Sequence, residues 1–244
     1  MPESGASPNA AEERPSAPPE PPEPSPPTRL FLVRHAQSTW NDSERIQGQL
    51  DPPLSEFGRR QAERLAERLA ERKWAGFYSS DLKRATETAQ PLADRINCRP
   101  VEVPELREID LGEWEGLTRQ EVVDRYPREW KAWVEQPDYD LVPGGEGARR
   151  FEERVTRALD DIFSRHPSGD VLVVTHGGVI QVALGQVVGR STHGFFPFRT
   201  DNTSITVLDL MARSRLVVRC VNDTCHLEGL HRQPTSGDLS AAAH

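Results

Sequence analysis

Continuous apolar runs of four residues recur along this chain, and two of them end alike. Leu30-Phe31-Leu32-Val33 leads into Arg34-His35, and Val171-Leu172-Val173-Val174 leads into Thr175-His176. A run without polar alternation predicts a strand buried on both faces, as in a parallel sheet covered by helices. Between the two runs the period changes. Ala62, Leu65, Ala66, Leu69 and Ala70 recur at steps of three and four, which predicts an amphipathic helix after Leu54-Ser55-Glu56-Phe57-Gly58. Gly76-Phe77-Tyr78-Ser79 predicts a short strand, with Ser80-Asp81 as N-cap residues of a helix running toward Asp94. Val101-Glu102-Val103 predicts another strand. Helices are expected over residues 118 to 134, over 148 to 165 through Phe151, Val155, Leu159 and Ile162, and over about 178 to 188. Ile205-Thr206-Val207-Leu208 and Leu216-Val217-Val218 close the pattern as strands. Such alternation predicts an α/β protein, a three-layer α/β/α sandwich around a mainly parallel central sheet.

Composition changes this picture mainly at the ends. The 244 residues are 36% hydrophobic, enough for one sizeable core. The first 28 hold ten prolines and no large apolar residue after Met1, so a disordered, partly polyproline-II tail is expected. It has neither the basic start nor the apolar stretch of a secretory signal. No run approaches membrane-spanning length, so the expectation is a cytoplasmic protein that engages no membrane. Residues 29 to 231 are expected to form one domain, with 232 to 244 a disordered C-terminal tail. The formal charge is -8, and the tail's five Glu against one Arg account for half of it. That weakly acidic balance argues against nucleic-acid binding. Cys98, Cys220 and Cys225 are too few and too scattered for a disulfide framework, and Cys220 with Cys225-His226 lacks the second Cys pair of a zinc site.

Two buried strands that deliver two imidazoles to one sheet edge mark that edge as a ligand site. Its chemistry suits a phosphoryl group. His35 is the candidate nucleophile, since a neutral imidazole attacks phosphorus with one nitrogen when a hydrogen bond from the other fixes the tautomer. Arg34 offers a planar cation for bidentate contact with phosphate oxygens. Arg84 falls in the first turn of its helix, where the dipole disfavours a cation unless an anion sits there. His176 stands before Gly177-Gly178, whose lack of side chains lets backbone approach a phosphate. Glu108, in Leu106-Arg107-Glu108-Ile109-Asp110-Leu111-Gly112-Glu113-Trp114-Glu115-Gly116, is the chosen general acid. Each has a structural alternative: a surface or capping histidine, an exposed Arg84 paired to Asp81 or Glu87, a solvated loop glutamate.

The residues converge on a family. Leu32-Val33-Arg34-His35-Ala36-Gln37-Ser38-Thr39-Trp40-Asn41, Leu54-Ser55-Glu56-Phe57-Gly58, Ser79-Ser80-Asp81-Leu82-Lys83-Arg84-Ala85, Leu106-Arg107-Glu108 and Thr175-His176-Gly177-Gly178 occur in order between about Arg29 and Leu210. Together they resemble the histidine phosphatase superfamily, which includes the cofactor-dependent phosphoglycerate mutases. The resemblance implies that His35 is phosphorylated, that Arg34, Arg84 and His176 form the phosphate pocket, and that Glu108 acts as acid and then as base. It also implies that Asn41 contacts phosphate, that Asn202 stands at a late polar position of the site, and that neither cofactor nor metal is needed. Ala36 departs from the family's commoner glycine. Pro143-Gly144-Gly145-Glu146-Gly147 resembles a phosphatase-branch turn that usually ends in serine, so a cap or a substrate contact is open there.

The resemblance leaves a phosphatase, a mutase and a non-catalytic phospho-ligand binder to separate. Discrimination falls to the lid insertion, roughly residues 109 to 148, with ten Asp/Glu against four Arg/Lys. That charge poorly matches a bisphosphoglycerate, and the longer arginine-bearing insertion of the mutases is absent. The expected function is therefore metal-independent hydrolysis of a small phosphomonoester through a phosphohistidine. Trp114, Trp130, Trp133 and Tyr139, with Phe195, Phe196 and Phe198, are expected either to line an apolar pocket for the alcohol half or to pack the lid. Sugar phosphates, phosphoglycerate derivatives, a ribazole phosphate and phosphoprotein stay open as substrates. A homodimer also stays open, since no isolated apolar stripe requires one.

Overall fold

Strand β1 (Thr28–Arg34) lies at the centre of the molecule because both of its faces are apolar: Leu30 and Leu32 point one way, Phe31 and Val33 the other. The computed structural model describes residues 27–191, 193–194, 197–211 and 215–231. β1 pairs in parallel with β4 (Gly169–Thr175), which alternates in the same way, with Val171 and Val173 on one face and Leu172 and Val174 on the other. Outward from β4 lie β2 (Gly76–Ser79) and the edge strand β3 (Val101–Glu102), both parallel. On the other side β5 (Ile205–Met211) and β6 (Arg215–Asp223) complete the order β3-β2-β4-β1-β5-β6. β5 runs antiparallel to both its neighbours, so the sheet is mixed, its parallel half carrying both histidine strands.

Helices cover both faces. α2 (Glu56–Leu69) and α3 (Lys83–Ile96) bury Leu65, Leu69, Ala89 and Leu92 against Phe31, Val33 and Leu172. α6 (Ala148–Arg165) and α7 (Gly177–Val188) bury Phe151, Leu159, Ile180 and Leu184 against Leu30, Leu32 and Val173. The three-layer sandwich is thus present. Short α1 (Thr39–Asp42) follows the first histidine. The single helix expected over 118 to 134 is two, α4 (Arg119–Arg125) and α5 (Pro127–Glu135), because Pro127 cannot donate to the preceding turn and bars Tyr126 from helical geometry.

Other expectations are corrected at the ends of elements. α3 starts at Lys83 with Leu82 as N-cap and no side-chain cap. Asp81 is held by Arg107 through Nε at 2.7 Å and a second guanidinium contact, and Ser80 Oγ meets His176 Nε2 at 2.8 Å, so both expected caps serve distant partners. Thr28, assigned to the tail, is buried in β1 opposite Gly169 and Leu210. The tail itself through residue 26, the C-terminal tail from 232, Phe195 and Phe196 lie outside the described residues. Gly147, in the turn before α6, has φ +78 and is the helix's N-cap residue. The missing serine oxygen is replaced from elsewhere: Asp140 Oδ1 accepts from Ala148 N at 3.0 Å.

Candidate active site

The register of β1 against β4 creates the site. Arg34 lies opposite Thr175, so the residue just beyond each strand is a histidine, and His35 N donates to Thr175 O at 2.8 Å. The two rings stand 5.2 Å apart, tilted by 56°, and are 3% and 0% exposed. His35 Nδ1 lies 2.7 Å from Ala36 O. A carbonyl can only accept, so Nδ1 carries the proton and Nε2 keeps the lone pair. Burial first, then the Arg84 and Arg34 guanidiniums, hold the His35 pKa well below the usual 6.5, so the ring is neutral at physiological pH.

The loop that carries His35 is anchored on all sides. Ala36 N donates to Thr88 Oγ1 at 2.8 Å, whose hydroxyl donates to Arg84 O at 2.6 Å. Asn202 Nδ2 donates to His35 O at 2.9 Å. On the α2 side, Ser55 N donates to Gln37 O at 2.9 Å, and a Cβ at Gly58 would fall 1.9 Å from that oxygen, so only glycine fits.

Arg84 is 1% exposed and donates to Leu50 O at 2.8 Å and Gly48 O at 2.6 Å. Asp81 belongs to Arg107, and Glu87 accepts from Leu54 N and sits 3.9 Å from Lys83, so the alternative of an exposed Arg84 paired to either one does not hold. Burial pulls its pKa down to about 10 against the opposing charges of Glu108, Asp51 and Glu115, which still leaves a full cation at neutral pH. Arg34 donates to Thr200 O at 2.6 Å through Nη1, and its buried Nε meets no partner among the described residues. Burial lowers its pKa too, opposed by Glu108 and Asp201.

Glu108 is half-buried and fixed from two sides: Gly178 N donates to Oε2 at 3.2 Å and Ile109 N to Oε1 at 3.1 Å. Its segment is gripped by Arg154, which donates to Glu105 O at 2.7 Å, Arg107 O at 2.8 Å and Glu108 O at 2.8 Å while pairing with Glu146.

Arg34, His35, Arg84 and Glu108 line one cavity of about 360 Å³, walled by Trp114, Trp130, Trp133 and Tyr139. Those aromatics also pack the lid: Trp114 contacts Trp133 at 5.5 Å, and Trp133 contacts Tyr139 at 5.7 Å. Both expected roles therefore coincide. Phe198 packs on the core instead.

The remaining expected residues are not among those that line the cavity. His176 is wholly buried, and its Nδ1 has no partner among the described residues; burial, Arg84 and His35 depress its pKa. Asn41 Oδ1 accepts from Ser38 N at 3.0 Å in the capping box of α1. Asn202 holds backbone rather than cavity. At Gly177 a Cβ would make ordinary contacts, whereas at Gly178 it would fall 2.2 Å from Glu108 Oε1, so the close approach is at Gly178. Thr88 and Arg154 were not singled out from the sequence because they matter through partners dozens of residues away, and Glu44 and Arg119 because only the folded chain brings them to the cavity wall. Among the described residues no group of three or more His, Cys, Asp or Glu side chains is placed to hold a metal ion.

The chain is similar to known proteins over most of its length. The model of the histidine phosphatase superfamily (branch 1) matches residues 30–224. Phosphoserine phosphatase 1 of Hydrogenobacter thermophilus is 37% identical over 199 residues, covering 82% of this chain and 94% of that protein. In Arabidopsis thaliana, phosphoglycerate mutase-like protein 4 is 39% identical over 204 residues (82% and 86% covered). From the same plant, a metal-independent phosphoserine phosphatase is 36% identical over 206 residues (83% and 84%). A phosphomonoesterase built on a mixed six-stranded sheet with two buried histidines at the ends of adjacent strands, the chain belongs to branch 1 of the histidine phosphatase superfamily.

Proposed function

We propose that His35 is the nucleophile and Glu108 the acid and base of this hydrolase, and that its substrate is a small phosphomonoester with a zwitterionic alcohol half, such as phosphoserine. One observation carries the roles: the Nδ1 bond to Ala36 O leaves Nε2 of a cavity-lining, neutral His35 with its lone pair. Nε2 attacks phosphorus as the P–O bond to the alcohol breaks, its electron pair passing to oxygen, which takes the proton of Glu108 in its acid form. Water then attacks the phosphohistidine, Glu108 takes its proton, and the N–P bond returns its pair to Nε2. Arg34 and Arg84, charged and already desolvated, oppose the transferring group without reorganising. His176, whose buried Nδ1 has no partner among the described residues, joins Asn41 and Gly177 in the same phosphate pocket, and Asn202 holds the His35 carbonyl.

The charges at the cavity mouth support the zwitterionic substrate. Glu44 and Arg119 line the cavity, and among the described residues neither has an ion-pair partner; Arg119 stacks on Trp130 at 5.2 Å. One cation and one anion left unpaired beside an aromatic wall match a carboxylate and an ammonium on a short carbon skeleton. The proposal extends to a catalytic domain over 29 to 231 with its lid at 109 to 148, and to the cytoplasm, a compartment that suits three free thiols. The test is phosphate release from phosphoserine, O-phosphoethanolamine and 3-phosphoglycerate, together with interconversion of 3- and 2-phosphoglycerate, for wild type and His35→Ala. Release from phosphoserine above the two analogues, lost in His35→Ala, is expected. Interconversion without release would make the protein a mutase, and equal use of all three substrates would remove Glu44 and Arg119 from recognition.

A further inference from the structure

The polypeptide after β6 returns beneath the nucleophile, just beyond the part of the chain that matches the family model. Thr203, wholly buried, has φ +57, a left-handed conformation that is strained for a β-branched residue. That turn aims its N–H at the nucleophile strand, donating to Arg34 O at 2.9 Å and His35 O at 3.3 Å. Its side chain is held by a chain of hydrogen bonds whose directions are all determined. Arg68, a donor only and paired with Asp223, lies 3.4 Å from His226 Nδ1, which must therefore accept. His226 Nε2–H then donates to Thr203 Oγ1 at 3.2 Å, and the Thr203 hydroxyl donates to Asn202 O at 2.7 Å. Asn202 Nδ2 closes the chain on His35 O. Neutral His226 is what this chain requires. Burial and then Arg68, against the opposing pull of Asp223, take its pKa down to about 4.

We infer that His226 is a positioning residue for catalysis: from outside the family match it fixes the strained Thr203 turn, and through it the backbone that aims His35. The inference rests on His35 as the nucleophile. Among the described residues Arg84, Glu108 and the lid aromatics do not touch this chain, and Arg34 meets it only through its main-chain carbonyl while Thr200 O holds its guanidinium, so its loss should misalign attack more than it weakens substrate binding. A misplacement of about 1 Å can cost about 10² in rate. For a partly retained turn, His226→Ala is expected to lower kcat about tenfold with KM within about twofold.

The experiment measures kcat, KM and thermal stability on the full chain for His226→Ala, His226→Gln, Thr203→Gly and the Thr203→Gly/His226→Ala double variant. Glutamine keeps an N–H donor for Thr203 Oγ1 and should recover kcat to within about threefold of wild type. Glycine adopts the left-handed turn without a Cβ penalty, so in that background His226→Ala should cost less than about twofold more. If the alanine variant folds poorly, the glutamine variant and the glycine background still decide. Wild-type kcat in His226→Ala, a glutamine variant as slow as alanine, or equal losses with and without Thr203→Gly would each overturn the inference. Acid-labile phosphate on His35 in quenched wild-type turnover tests the nucleophile assignment separately.

Discussion

At the scale of single residues, the site is governed by the cost of burying imidazoles. His35 and His176 are held neutral by burial and by two nearby arginines, so both bind a proton more weakly in the folded than in the unfolded state. The sign follows directly. Below about pH 6.5 the unfolded chain gains protons that the folded one refuses, and stability falls with acidification by up to about 1.4 kcal/mol per pH unit for each histidine. The carboxylates depressed by their partners, Asp81, Asp209 and Asp223, lose their contribution only at lower pH, which leaves pH 5 to 7 to the histidines. Urea midpoints should fall between pH 7 and pH 5 in wild type and fall less steeply in His176→Gln. Parallel slopes would mean that His176 is not buried neutral. The sequence showed both histidines and their strand-end placement, because a continuous apolar run is a local signal. It could not show the tautomer, which depends on where the Ala36 carbonyl points.

At the scale of elements, the first turn of α7 and the acid loop are fitted to one another. A Cβ at Gly178 would meet Glu108 Oε1, the far end of a flexible side chain, with Phe151 Cζ at 3.1 Å. The helix can keep a methyl there if the carboxylate moves away. Gly178→Ala is therefore expected to change stability by about 1 kcal/mol or less and to lower kcat by about 10²-fold or more, as an acid–base group is displaced. Thermal melts beside steady-state rates check this, and an active variant would release Glu108 from the assigned role. The caps of α3 and α6 show why element boundaries were less legible than element types. Ser80 and Asp81 have the right chemistry for a cap but are taken by His176 and Arg107, while α6 receives its cap from Asp140. Competition for a polar side chain between local and distant partners is invisible in a local pattern.

At the scale of the whole molecule, Arg154 joins the layers to the lid. It projects from α6 with its side chain 15% exposed, gathering three carbonyls of the 105–108 segment and the Glu146 carboxylate before the helix. Removing one partner of such a buried, charge-assisted network is strongly destabilising. Arg154→Met should lower stability by about 3 kcal/mol and reduce kcat more than it raises KM, as read from denaturant midpoints and steady-state kinetics. A variant with unchanged stability would show the network to be incidental. By itself, the sequence determined the sandwich, the run of strands and helices and the two histidines at strand ends, because apolar period is written along the chain, and its short motifs singled out Arg34, Arg84 and Glu108 through their resemblance to a family. Only the tertiary structure decided which carbonyls hold Arg84, which nitrogen of His35 is free, what replaces the missing cap of α6 and how His226 reaches the nucleophile. Those depend on where carbonyls and side chains point once the chain has folded, from Ala36 next to His35 to Asn202, 167 positions from it, and packing rather than spacing sets the partners.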